Sequence, residues 1–138
     1  MKYYIGVKLV QAEPEERNGE EGYKVVYPDG YVSWSPKSVF EKAYFNLENN
    51  NSISEKDVDN FIGMSEVTCT TVGEKTTLST ILFPTNWNET RASSCIDIKN
   101  YDEKIGHEIN IEHIKNRVWN YLGFLLQWAF HGLKKENI

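Results

Sequence analysis

The feature that most constrains this chain is its C-terminal third. Ile105, Ile109, Ile114, Val118, Leu122 and Leu125 recur at spacings of four, five, four, four and three, the period of a helix. Within that run, ten of the thirteen residues 118–130 are apolar, interrupted by Asn120, Gly123 and Gln127. A membrane span needs roughly 20 apolar residues, so the run predicts a helix inside a protein and not inside a bilayer. A helix apolar on most sides is either buried all round or pressed against another chain. In a chain of 138 residues, long enough for one core with a small appendage, the second option is favoured, as a homodimer with paired C-terminal helices.

The segments before it read mostly as strands. Tyr3, Ile5, Val7 and Leu9 alternate, predicting a first strand that Pro14 closes. Residues 23–27 and 31–34 form a second and third, joined by the turn Pro28-Asp29-Gly30. Ser35-Pro36 has the form of a helix start, with Ser35 as N-cap, and Val39, Phe40, Ala43 and Tyr44 lie on one helical face. After a polar linker at 46–51, Ser54 and Asp57 make a capping box, Ile53 and Val58 a hydrophobic staple, and Gly63 a stop. Residues 66–72, 76–83 and 87–95 predict three further strands, with helix from Asp102. The class is therefore α+β, antiparallel strands packed on C-terminal helices. The units expected are 1–63, a meander with short helices, and 64–138, strands followed by helices, forming one compact body.

Charge narrows the function. The chain has 15 basic and 20 acidic residues, a formal charge of -5, which argues against duplex DNA as a partner. The start, Met1-Lys2-Tyr3-Tyr4-Ile5-Gly6, lacks the long apolar run of an export signal, so the expected compartment is the bacterial cytoplasm, with Cys69 and Cys95 as thiols. No cofactor, metal or catalytic residue is predicted. His107 and His113 lie six apart, about 120° around a helix, and so do not share one metal. Ser93-Ser94-Cys95 reads as a strand end with small residues or as a place for a nucleophile. Aromatics are abundant, with 4 Trp, 8 Tyr and 6 Phe. The run Phe83-Pro84-Thr85-Asn86-Trp87-Asn88-Glu89-Thr90-Arg91 sets two rings, amides and a guanidinium around one loop. Such groups stack on flat ligands, read base edges and hold phosphate; the same run also suits a hairpin whose rings complete a core.

Two stretches carry a resemblance. The run from Gly22 through Tyr27-Pro28-Asp29-Gly30-Tyr31-Val32-Ser33-Trp34-Ser35-Pro36-Lys37 resembles an N-terminal module of several small phage proteins. Ser93-Ser94-Cys95-Ile96-Asp97, Asn100-Tyr101-Asp102, Ile105-Gly106, Val118-Trp119 and Gly123-Phe124-Leu125-Leu126 resemble a family of short phage accessory proteins that includes the Thoeris anti-defence sponges. Those proteins sequester a cyclised ADP-ribose signal, and some bind cyclic oligonucleotides of CBASS, in pockets between protomers and without turnover. The resemblance implies an aromatic stacking residue and a polar contact from the strands before the Ser-Cys segment, for which Phe83, Trp87, Asn88 and Arg91 are candidates. It also implies arginines in a pattern I-G-R-x-I-x-R. Here the pattern reads Ile105-Gly106-His107-Glu108-Ile109-Asn110-Ile111, with His107 and Ile111 at the arginine positions and Lys104, Arg91 or Arg117 as stand-ins. The partner implied is a nucleotide-derived signalling molecule; the alternative is a host protein bound through the aromatic surface or C-terminal helix.

Overall fold

A computed structural model describes residues 1–133. The elements in order are β1 (Gln11–Pro14), β2 (Gly22–Val26), β3 (Val32–Pro36), α1 (Lys37–Ala43), α2 (Glu55–Gly63), β4 (Glu66–Val72), β5 (Thr76–Leu82), β6 (Asn88–Ser94), a 3-10 turn (Ile98–Asn100) and α3 (Glu103–His131). Two three-stranded antiparallel sheets, β1-β2-β3 and β4-β5-β6, make this an α+β fold. The chain divides into two compact units, Met1–Ser52 with the end of α3 from Phe124, and Ile53–Gly123. The capped helix α2 thus belongs with the second sheet, where the sequence alone grouped it with the first.

In the first unit, Val25 of β2 is buried and α1 lies against the meander through stacked rings: Tyr23 on Phe40 at 4.4 Å and Phe40 on Tyr44 at 4.8 Å. Trp34 donates its indole N–H to the Glu15 carbonyl at 2.8 Å. Two expectations change here. The alternating residues 3–9 form no strand; β1 begins only at Gln11, which pairs with Val26, the last residue of β2. Residues before Gln11 run past the end of β2 and have no ladder to join, so Tyr3 and Ile5 are exposed. The cap of α1 is Pro36 and not Ser35, because Ser35 is held extended by its pairing with Tyr23.

The second unit obeys its sequence closely. Ser54 caps α2, accepting from the Asp57 N–H at 3.1 Å while Asp57 accepts from the Ser54 N–H at 2.9 Å. The helix expected from Asp102 is single and long: α3 runs unbroken for 29 residues, about 44 Å at 1.5 Å per residue. It buries Asn110, Ile114, Val118 and Leu122 at intervals of four, while β5 and the residue after it bury Thr77, Ser79, Ile81 and Phe83 at intervals of two. The core is therefore polar at one end and apolar at the other. Ile105 and Ile109 stay about half exposed, because Gly106 and Asn110 occupy the sheet-facing positions at that end.

Gly106 sets how closely helix and sheet approach. A Cβ there would lie 2.3 Å from Thr77 Oγ1 and 2.7 Å from Thr77 Cβ. Gly106→Ala should therefore destabilise by about 1–3 kcal/mol through overpacking, less the ~1 kcal/mol that alanine gains in a helix. Urea unfolding checks the sign; a more stable variant would show that the helix can lift away freely.

Among the described residues no helix is long and apolar enough to cross a membrane.

Candidate ligand-binding face

The β5–β6 hairpin is the start of the site. Asn86 N–H donates to the Phe83 carbonyl at 2.9 Å and Phe83 N–H to the Trp87 carbonyl at 2.8 Å, with Asn86 in the left-handed region at φ 72°. This is the three-residue loop built from a turn and one left-handed residue. The β2–β3 hairpin repeats it: Gly30, at φ 89°, donates to Tyr27, and Tyr27 donates to Tyr31, both at 2.9 Å. In each hairpin an aromatic residue, Pro and two further residues lead to a second aromatic. The sequence showed both runs but not their equivalence.

The two rings of the β5–β6 hairpin have opposite fates. Phe83 is 3% exposed, 5.4 Å from Phe61 and 6.4 Å from Tyr121 between ring centroids. It is a core ring, and its burial removes it from the stacking surface that the sequence assigned to it. Trp87 is 63% exposed.

Beyond Trp87, alternation along β6 sorts the side chains. Glu89, Arg91 and Ser93 share the α3 side: Glu89 accepts from Arg117 Nε at 2.6 Å and from the Tyr121 hydroxyl, and Ser93 donates to the Gly106 carbonyl at 3.0 Å. Asn88 is exposed in the opposite phase, so the strand separates it from Arg91. Arg91 is exposed and has no ion partner among the described residues. Arg117, a stand-in for the absent arginines, is instead committed to Glu89 and, through Nη2 at 2.6 Å, to Tyr121.

Partial burial works against the Glu89 charge, but the hydrogen bonds from Tyr121 and Arg117 outweigh it and hold the carboxyl below its ordinary range. The folded protein thus binds that proton less tightly than the unfolded chain. Its contribution to stability is present above the ordinary carboxylate range and is lost as pH falls through the lowered folded value. Glu89→Gln should therefore narrow the stability gap to wild type as pH drops from neutral through 4 and below. A gap independent of pH would mean that the carboxylate adds nothing through its charge.

On α3, His107 Nδ1 lies 2.7 Å from Ser79 Oγ, and Ser79 is the register partner of Arg91. Lys104, one turn before His107, is exposed and without an ion partner among the described residues. Ser79 therefore neighbours two of the predicted residues at once. Neither it nor Asn110 was singled out by the sequence reading, because a serine in a strand and an asparagine in a helix carry no period signal.

A small cleft of about 80 Å³ opens nearby, lined by Thr77, Ser93, Cys95, Tyr101, Ile105 and Ile109 among others. Drug-sized ligands occupy roughly 300–1,000 Å³, so this cleft takes a fragment and not a nucleotide. No group of three or more His, Cys, Asp or Glu is placed to hold a metal among the described residues.

The architecture defines an α+β protein whose second unit carries an exposed aromatic and two cations, Arg91 and Lys104, without an ion partner among the described residues. Its identity follows from a family comparison. A model of the Phage protein (N4 Gp49/phage Sf6 gene 66) family matches residues 37–130, from the first residue of α1 almost to the end of α3, and the chain belongs to that family. The β1–β3 meander lies outside the match. No curated protein and no solved structure matches the chain.

Proposed function

We propose that this phage protein binds a nucleotide-type immune signal, a cyclised ADP-ribose or a cyclic oligonucleotide, in the host cytoplasm and withholds it without degrading it. The observation that carries the reading is the exposed Trp87 ahead of Arg91, which has no ion partner among the described residues, on the edge strand β6. A base stacked on an aromatic ring contributes about 1–3 kcal/mol, and a guanidinium adds a charge-assisted contact to phosphate. Affinity and slow release are all that sequestration needs. The resemblance to sponges that bind between protomers supports the same reading, with the ligand enclosed by a second copy. Phe124 and Phe130, 68% and 60% exposed, supply apolar surface for such pairing through α3. Light scattering decides it, and a monomer at working concentration would remove the enclosed pocket.

The test is a thermal-shift panel of cyclised ADP-ribose isomers, cyclic di- and trinucleotides, linear ADP-ribose and NAD. A ligand at 100 times its Kd should add about 2.7 kcal/mol of stability. Chromatography of the released compound should return it unchanged; a converted product would make the chain a hydrolase. A flat panel would reject the nucleotide reading. The same exposed α3 residues favour a second reading, a host protein partner, which stoichiometric capture of one host protein would support.

A further inference from the structure

Four groups in the polar end of the second core fix the direction of a hydrogen-bond chain. The Thr77 carbonyl can only accept, so the Asn110 group 3.1 Å from it is the amide NH2. The reverse orientation would set two acceptors against each other. That holds although Asn110 Oδ1, fully buried, has no partner among the described residues. The same NH2 donates to Ser79 Oγ at 2.9 Å. Ser79 is completely buried, and of the two groups on its hydroxyl among the described residues, Asn110 is a donor. The hydroxyl proton therefore points to the other, His107 Nδ1 at 2.7 Å. In the neutral imidazole, Nδ1 is then the acceptor and the ring proton sits on Nε2.

We infer that Ser79 and Asn110 are positioning residues that lock His107 in the Nε2–H form and present that N–H, with the Lys104 ammonium one turn away, to an oxyanion of the ligand. The pair is suited to a phosphate oxygen: one directional donor on a half-buried ring and one mobile, exposed cation. The role toward a ligand rests on the nucleotide reading above; the tautomer does not.

Long-range 15N–1H spectra of the histidine rings test both parts, with His107 assigned by His107→Gln and recorded at mildly alkaline pH. In the wild-type protein His107 should show a protonated Nε2 and an unprotonated Nδ1. Ser79→Ala should give averaged shifts from a mixture of tautomers. A wild-type proton on Nδ1, or a tautomer unchanged in Ser79→Ala, overturns the assignment. The wild-type spectrum decides even where the variant fails to fold. Titration with inorganic pyrophosphate, which has the oxyanions and no base, should move the His107 Nε2 signal, with affinity about tenfold weaker in Ser79→Ala. If pyrophosphate leaves His107 unmoved while the compound panel responds, the anion role is overturned and the nucleotide reading stands.

Discussion

Phe83→Ala should cost about 3–5 kcal/mol of stability, the largest loss expected from any single aromatic in the second unit. The ring is 3% exposed and sits between Phe61 and Tyr121, so truncation removes its transfer energy and leaves a cavity on two other rings. Phe83→Leu keeps most of the volume and should lose much less. Urea denaturation measures both. If Phe83→Ala keeps nearly wild-type stability, the core assignment fails and the ring is available to a ligand after all. Any loss of binding in Phe83→Ala should therefore follow the loss of fold, and Phe83→Leu should bind normally.

Trp87→Ala should show the opposite pattern. The indole is 63% exposed at the mouth of the same hairpin, so its removal should leave the unfolding midpoint within about 0.5 kcal/mol of wild type. Ligand affinity should fall roughly tenfold to a hundredfold, the loss of one stacked base. Calorimetric titration with whichever panel compound binds measures it. Normal affinity in a folded Trp87→Ala protein would move the site away from this hairpin. Only the combination of stable fold and lost binding marks a residue that serves a ligand.

Much of the fold was legible because local rules and tertiary packing agree. Ser54 and Asp57 start α2 as their chemistry requires, Gly63 is its last residue ahead of the Met64 cap, and the strands of the second sheet lie within one residue of the expected runs. The failure at residues 3–9 has the opposite cause. Alternation states that a segment can be a strand, and a strand also needs a neighbour; β2 ends where β1 is already paired. The apolar count in α3 was similarly incomplete. Ile114, Val118 and Leu122 are core, but Ile105 and Ile109 lost the sheet-facing positions to Gly106 and Asn110. Hydropathy ranks a glycine and an asparagine as non-core, although one permits close approach and the other satisfies buried backbone.

For the candidate site, the sequence by itself determined the inventory: a hairpin with two rings, a guanidinium on its outgoing strand, and a lysine and a histidine on the following helix. It determined the turn as well, since Pro84 and Asn86 suit the backbone angles the loop requires. What it could not determine is which ring faces water, which arginine is already paired and which nitrogen of His107 carries the proton. Those depend on partners far along the chain: Phe61 and Tyr121 for Phe83, Glu89 for Arg117, and Ser79 for His107. Burial and hydrogen bonding are properties of neighbours in space, and only the packing of α2 and α3 on the second sheet chose those neighbours.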